Sequence, residues 1–153
     1  MIIKKIYIEK NEASCEEICS FIHEVDKDFI TPISMKVDIE NYSIKVKNNA
    51  DIYTIKCNGR VIAMGICYTN DIKNGIAYLS FFAVSKENRK WGGYAQMLLQ
   101  EIINGLKDTS MIVVRLHTEN VVAEKLYKKN GFSVIENLDG RKMMELKIRE
   151  EQK

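Results

Sequence analysis

The chain has 153 residues, a formal net charge of +2 at pH 7, 46% hydrophobic residues and 29% charged residues. This length fits one domain with a sizeable core, and the composition excludes long disordered tracts. The small net charge excludes nucleic acid and an anionic membrane surface as main partners. We therefore expect a single domain over residues 1–153.

The cysteines and the N-terminal segment bear on metal binding and location. Cys15, Cys19, Cys57 and Cys67 lack the spacing of a metal site, and only two histidines accompany them. We expect free thiols and no metal. The segment MIIKKIYIEK lacks the apolar core of a signal peptide, and no apolar run approaches membrane-spanning length. These features predict a cytoplasmic protein with no membrane partner.

Apolar periodicity predicts the elements in the first half of the chain. We expect, in order, a strand over Ile2–Glu9, a helix from Asn11 or Ser14 to about Val25, an ordered loop over Asp26–Ser34, a helix capped by Asp38, and strands over Asp51–Cys57 and Val61–Thr69 joined by the Asn58-Gly59 turn. A further turn over Asn70–Gly75 leads into the next strand.

The stretch Tyr78–Ile103 is expected to form the central strand, turn and helix of the domain. Tyr78–Val84 reads as a buried strand, and a helix begins at or just after Gly92-Gly93. A helix start presents unpaired N–H groups and partial positive charge, and Arg89 and Lys90 add two full charges. The turn suits a pyrophosphate or other phosphate cluster. A Gly-Gly pair before a helix is also common in ordinary tight turns, so the turn alone leaves both interpretations open.

The remaining sequence predicts a strand, a helix and a final hairpin. We expect a strand over Met111–His117, a helix over Asn120–Lys129 ended by Gly131, and a hairpin of Phe132–Ile135 with Lys142–Ile148 about Asp139-Gly140. This order of strands and helices predicts an α/β (α+β) protein with a mixed sheet.

Two motifs, in this order of elements, resemble those of the GNAT superfamily of acetyl-CoA-dependent N-acetyltransferases. Gly93-Tyr94-Ala95, followed by Leu98-Leu99, resembles the family's strand-to-helix turn and puts Lys90 where Arg or Gln usually stands. A second register keeps Arg89 and Gly92 but puts Tyr94 where Gly or Ala is usual. The segment LHTENVVAEKLYKKNGF resembles the family's other motif. Five of its residues match that motif in type and spacing: Asn120, Ala123, Tyr127, Gly131 and Phe132.

The resemblance implies a central, mostly antiparallel sheet flanked by about four helices, with acetyl-CoA as co-substrate. It implies that the backbone of Phe82, Ala83 and Val84 binds the pantetheine arm. It places the pyrophosphate on the amides of Trp91, Gly92, Gly93, Tyr94 and Ala95, with Arg89 or Lys90. Asn120 would hydrogen-bond the pantetheine, although an N-cap role explains it equally well. Tyr127, otherwise an ordinary core aromatic, would be the catalytic residue that gives a proton to the leaving sulfur, while an N–H near Val84 stabilises the carbonyl oxygen.

The function implied is transfer of an acetyl group to a primary amine of a small molecule or peptide by direct attack. A non-catalytic CoA-binding regulatory module is the alternative, and O-acetylation or a longer acyl donor is a third. The general base stays open between a water chain, Glu119, His117 and an acid of the Asp26–Glu40 region.

Acceptor specificity is expected from Asp26–Tyr42 and Asn70–Gly75, which by the resemblance flank the acyl end of the cleft. Four acids of the first segment could attract a cationic amine, although solvated surface acids are the commoner explanation: Asp26, Asp28, Asp38 and Glu40. The resemblance also implies that the exposed strand near the C-terminus can pair across a homodimer.

Overall fold

The fold is organised around one mixed sheet. The computed structural model describes residues 4–89 and 93–150. Its strands are β1 Ile6–Lys10, β2 Asp51–Cys57, β3 Arg60–Asp71, β4 Ile76–Val84, β5 Val113–Thr118, β6 Ser133–Leu138 and β7 Arg141–Lys147. They form a seven-stranded sheet in the order β1-β2-β3-β4-β5-β7-β6, in which β4 and β5 are parallel and the other neighbours antiparallel. The expected fold class is confirmed.

Four α-helices flank the sheet in the described residues: α1 Cys15–Val25, α2 Ile39–Asn49, α3 Tyr94–Leu106 and α4 Val121–Lys129. Ser14 caps α1 through a complete capping box with Glu17, and Asp38 caps α2. Both helix starts agree with the sequence prediction, which left Asn11 as an alternative for the first.

Two short turns set the strand pairing, as predicted. Asn58 and Gly59 both have positive φ, at 53° and 82°, as do Asp139 and Gly140, at 52° and 88°. Two successive residues of positive φ match the twist of a two-residue hairpin. The first predicted strand begins later than expected, because β1 starts at Ile6; residues 1–3 lie outside the described part.

A β-bulge in β4 shapes the middle of the sheet. Ile66 pairs with Phe81 and Cys67 pairs with Leu79, so Ser80 is an extra residue on β4. The parallel ladder between β4 and β5 ends at the pair Leu79–Leu116. Because a bulge bends its strand and increases the local twist, the two central strands separate beyond this point.

The core has two parts, one on each face of the sheet. One cluster packs α3 and α4 against the sheet and includes Leu98, Ile102 and Leu116; the other packs α1 and α2 and includes Ile22 and Val46. Since both parts use the same sheet, burial of either face fixes the position of β4. No helix in residues 4–89 and 93–150 is long and apolar enough to cross a membrane.

A glycine lets α3 lie close on the sheet. A Cβ placed at Gly65 on β3 would come within 2.5 Å of the Ile102 side chain. The absence of a side chain there therefore allows α3 to cross the sheet directly after the end of β4, which brings its N-terminus beside the separation of the central strands.

Candidate active site

The separation of β4 from β5 leaves backbone polar groups of β4 without a neighbouring strand. The Ser85 amide donates to the Ile62 carbonyl of β3 at 2.8 Å. Along an antiparallel ladder, alternate residues direct their N–H and C=O groups to opposite sides. Phe82 and Val84 therefore direct theirs away from β3 and into the gap.

Ala83 differs from its two neighbours in this respect. It pairs with Met64 of β3, and the same alternation directs its backbone N–H and C=O to that strand. The expectation that all three residues offer backbone groups to a ligand is corrected for Ala83, because its polar groups are used within the sheet.

The N-terminus of α3 lies directly after this gap. Gly93 is the N-cap residue, with φ of 86° and no side-chain cap, so the first-turn amides of α3 receive no hydrogen bond from an N-cap side chain. Tyr94 and Ala95 follow, each half-buried against the core. The predicted contributions of Lys90, Trp91 and Gly92 fall on residues outside the described part of the chain.

Arg89 is bound into the protein rather than presented freely to a ligand. Its Nε donates to the Val84 carbonyl at 2.9 Å, and its Nη2 donates to the Asp28 carboxylate at 2.7 Å. The guanidinium thus ties the end of β4 to the turn after α1. A phosphate would have to compete with Asp28 for this side chain.

A cleft of about 190 Å³ opens at the gap. Its walls come from residues 29–36 after α1, from β4, from the end of β5 through Asn120, and from α4 and β7. These segments are far apart in sequence. They surround one cleft because the bulge separates β4 from β5 at the point where α4 begins.

Tyr127 lines this cleft from α4. Its ring is 6.0 Å from that of Phe82 and 5.6 Å from that of Phe132, measured between centroids. Burial raises the pKa of Tyr127, so the hydroxyl keeps its proton at neutral pH. In the described residues only the Thr54 hydroxyl is fully enclosed without a partner. The Tyr127 hydroxyl is not among such enclosed groups and makes no hydrogen bond within the described residues, so no partner there prevents it from donating to a ligand in the cleft.

Asn120 caps the start of α4 and also lines the cleft. Its Oδ1 accepts from the amides of Val122 at 2.8 Å and Ala123 at 3.1 Å, which is an N-cap. The Nδ2 group makes no hydrogen bond within the described residues, and Asn120 lines the cleft. The cap and a ligand contact are thus geometrically compatible.

His117 forms a pair with Tyr78 across the two central strands. The Tyr78 hydroxyl and His117 Nδ1 are 2.5 Å apart, and both side chains line the cleft. Burial lowers the pKa of His117, and the positive charges of Arg141 and Lys36 lower it further, with Glu136 opposing them. The imidazole is therefore neutral at pH 7 and able to accept a proton.

Glu119, the other expected base within the cleft, is already hydrogen-bonded. It accepts the Thr31 hydroxyl at 2.9 Å and lies 3.9 Å from Arg141 Nε. Sequence reasoning did not single out Tyr78, Lys36 or Arg141 as cleft residues, although Lys36 lies within the segment Asp26–Tyr42 that was expected to flank the cleft. No local pattern marks them, because each comes from a different segment of the chain.

The four acids expected to attract a cationic amine do not line the cleft. Asp26 binds Ser34, Asp28 binds Arg89, Asp38 caps α2, and Glu40 lies 3.1 Å from His23. The Asn70–Gly75 turn does not line it either, since it connects to the opposite end of β4. The Asp26–Tyr42 segment does line the cleft, through residues from Phe29 to Lys36, whereas its four acids and the Asn70–Gly75 turn do not. Each of the four acids makes a local contact that the spacing of charges did not reveal.

One group of metal-ligand types forms away from the cleft. Atoms of Cys19, His23 and Glu40 lie within 4.8 Å of one another on α1 and α2. Two of these residues, His23 and Glu40, are close together because their side chains share a hydrogen bond. The absence of a metal stays a prediction. All four cysteines are free, as expected.

Comparison with a family model gives the class of protein. The model described as the acetyltransferase (GNAT) family matches residues 18–132, more than half of the chain. The chain belongs to the GNAT family of acetyltransferases. The expected family and the expectation of an enzyme are confirmed. Comparison with curated proteins finds no matching sequence.

Solved structures share the fold at low sequence identity. A GNAT-family acetyltransferase from Staphylococcus aureus Mu50 has a TM-score of 0.74 at 20% identity, covering 95% of this chain and 100% of that one. The ribosomal-protein-S18-alanine N-acetyltransferase from Escherichia coli has a TM-score of 0.73 at 18% identity, covering 98% and 97%. PaiA N-acetyltransferase from Thermoplasma acidophilum, in complex with coenzyme A, has a TM-score of 0.68 at 18% identity, covering 92% and 99%.

Proposed function

We propose that this protein transfers the acetyl group of acetyl-CoA to a primary amine by direct attack, within a single domain over residues 1–153. The observation that carries the proposal is the protonated Tyr127 hydroxyl in a cleft that opens between β4 and β5. Family membership supplies the reaction class, and the structural neighbour from Thermoplasma acidophilum is in complex with coenzyme A.

The co-substrate would lie in the gap between the central strands. Backbone groups of Phe82 and the Val84 amide pair with the amides of the pantetheine arm, as an added strand would. The pyrophosphate lies against the amides at the start of α3, from Trp91 to Ala95. Asn120 Nδ2 donates to the pantetheine.

Two basic residues compete for the role of phosphate ligand. Arg89 is already paired with Asp28 and the Val84 carbonyl. The other motif register assigns the role to Lys90 instead of Arg89. We therefore assign the main phosphate contact to Lys90 and a positioning role to Arg89.

The chemistry follows from the groups in the cleft. The amine nitrogen forms a bond to the carbonyl carbon, and the developing oxyanion is stabilised by the Val84 amide. As the carbon–sulfur bond breaks, the electron pair passes to sulfur, which takes a proton from the Tyr127 hydroxyl. The products are an amide and free CoA.

We assign the general base to His117. When Nδ1 carries the hydrogen and donates it to the Tyr78 oxygen, Nε2 has a free lone pair to accept the proton of the amine. Its lowered pKa keeps that lone pair available at neutral pH. Glu119 is less suited, because Thr31 and Arg141 already occupy its carboxylate.

The acceptor is a small molecule or a peptide with a primary amine. A homodimer is a further part of the proposal: β6 lies at an edge of the sheet and all six of its residues are exposed. An exposed edge strand can pair with a second copy of itself. The cytoplasm stays the predicted location.

Substitution of Tyr127 tests the proposal against the alternative of a non-catalytic CoA-binding module. Tyr127→Phe should lower kcat about 100-fold or more, since the acid is lost, and leave the Kd for acetyl-CoA nearly unchanged. Steady-state kinetics with an amine panel and titration calorimetry measure the two effects. Tyr7→Phe, on the exposed β1 edge, is the matched control. Unchanged turnover would refute the acid role, and CoA binding without acetylation of any amine would support the binding module.

A further inference from the structure

The acceptor end of the cleft carries more positive than negative charge. Its charged lining residues are Lys36, Arg141 and Glu119. The negative charge of Glu119 is compensated locally, because its carboxylate accepts the Thr31 hydroxyl at 2.9 Å and lies 3.9 Å from Arg141 Nε. The excess positive charge is therefore available to a ligand.

Neither cation is fully used by the protein. The Lys36 ammonium makes no hydrogen bond or ion pair within residues 4–89 and 93–150. Arg141 has a single ion pair in that part of the chain, at 3.9 Å, which is longer than a hydrogen bond. A guanidinium has five N–H donors in a planar fork, so most of those of Arg141 remain free to bind a carboxylate.

Both cations also act at the site of chemistry. Arg141 and Lys36 each contribute to the lowered pKa of His117, so both lie within electrostatic reach of the imidazole. The acids that would favour an acceptor with only positive charges, from Asp26 to Glu40, make contacts outside the cleft. A polyamine would meet two cations on the cleft lining, where Glu119 is already paired and the nearby acid Glu136 is not part of the lining.

We propose that the acceptor amine carries a carboxylate close to its amino group, and that Lys36 and Arg141 bind this carboxylate. The proposal rests on the proposed acetyl transfer and specifies its substrate class. Free amino acids and acidic N-terminal residues of peptides share this chemistry. The bound carboxylate would compensate the repulsion between the two cations and the incoming amine. The same cations favour the neutral, nucleophilic form of that amine.

Bisubstrate analogues test the proposal without requiring turnover. In each, the CoA sulfur is linked through an acetyl group to the amino nitrogen of an acceptor. One pair uses glycine and glycinamide; a second uses aspartyl-alaninamide and asparaginyl-alaninamide. Within each pair the two acceptors differ in the carboxylate. The first pair represents free amino acids and the second represents peptides. Titration calorimetry gives the Kd of each analogue and of CoA alone.

The carboxylate member of at least one pair should bind about tenfold or more tightly than its amide counterpart. Lys36→Ala and Arg141→Ala should each reduce that preference, and the double variant should abolish it. Lys45→Ala, which removes an exposed lysine of α2 outside the cleft lining, should retain it in full. Unchanged binding of CoA alone shows that the variants remain folded.

Two results overturn the inference while leaving the proposed function intact. One is equal binding of both members of both pairs by a protein that binds CoA. The other is a carboxylate preference that survives in the double variant. If the protein fails to bind CoA itself, the proposed function fails and this inference fails with it. The pair that shows the preference identifies the source of the carboxylate.

Discussion

His117 is placed where burial and charge both favour its neutral form. The groups facing it are the Tyr78 hydroxyl, the cations Arg141 and Lys36, and the acid Glu136. A general base works only when unprotonated. Since its pKa is below the ordinary 6.5, the imidazole stays unprotonated down to mildly acidic pH.

The pH dependence of turnover follows from this environment. At saturating acceptor, kcat should decline at acidic pH as His117 takes up a proton, and the midpoint of that decline should lie below pH 6.5. Arg141→Gln should shift that decline to higher pH, because one cation that opposes protonation is removed. His117→Gln should lower kcat and abolish the step. A pH profile of the Arg141 variant identical to the wild type would contradict this electrostatic account.

Thr54 carries a buried hydroxyl that lowers the stability of the fold, because it lacks a hydrogen bond. It is 0% exposed in β2, and its hydroxyl has no hydrogen-bond partner within the described residues. Thr54→Val removes this unpaired polar atom with little change of shape. It should raise the free energy of unfolding by about 1 kcal/mol and Tm by about 2–4 °C.

Thr118→Val is the control for that substitution. The Thr118 hydroxyl accepts from the Asn120 amide at 3.2 Å, so the same change should lower Tm there. Thermal unfolding followed by circular dichroism measures both variants. A destabilised Thr54→Val protein would mean that the hydroxyl is satisfied after all.

At the scale of elements, α4 is both a structural unit and a wall of the cleft. Asn120→Ala removes the acceptor for two first-turn amides and should cost about 1 kcal/mol of unfolding free energy. Asn120→Asp keeps that acceptor and should retain the stability. It loses the Nδ2 donor, so its affinity for acetyl-CoA should fall as it does in the alanine variant. Denaturant unfolding and calorimetry separate the two effects. Wild-type affinity in Asn120→Asp would restrict the residue to its capping role.

Elements could be predicted from sequence wherever their signals are local. The caps at Asp38 and Asn120 and the Asn58-Gly59 hairpin each depend on a few adjacent residues, and all three lie where the sequence predicts them. The bulge at Ser80 could not be predicted. It is defined by the register against β3, and no property of the residues around it distinguishes a bulge from regular pairing.

The same distinction between local and long-range signals applies to the residues of the candidate site. The motifs identified Asn120 and Tyr127 because both lie on one short helix. The acceptor end depends on segments brought together only by the complete sheet, so Arg141 was missed and Lys36 was predicted only as part of the segment Asp26–Tyr42. Charge alone pointed instead to acids such as Asp28, whose actual partner, Arg89, lies 61 positions away.

At the scale of the whole molecule, the two core clusters lie on opposite faces of one sheet. The cleft lies where that sheet is weakest, because only four residue pairs, from Ile76–Val113 to Leu79–Leu116, join β4 to β5. Beyond those pairs, the halves of the sheet are joined by the core cluster under α3 and α4, which includes residues of β4, β5 and β7.

Along β4 next to the gap, backbone N–H groups point alternately to β3 and to solvent, so neighbouring amides should differ in their rates of hydrogen exchange. When CoA fills the gap, the Phe82 and Val84 amides should exchange their hydrogens with deuterium more slowly, because a ligand then covers them. The Ala83 amide already donates within the sheet, so its exchange should hardly change. Amide exchange measured residue by residue by NMR, with and without CoA, should show slowing at Phe82 and Val84 and no change at Ala83 between them. The alternation of fast and slow exchange along β4 thus belongs to the free protein, and a bound pantetheine arm would remove it, as a neighbouring strand on that side would.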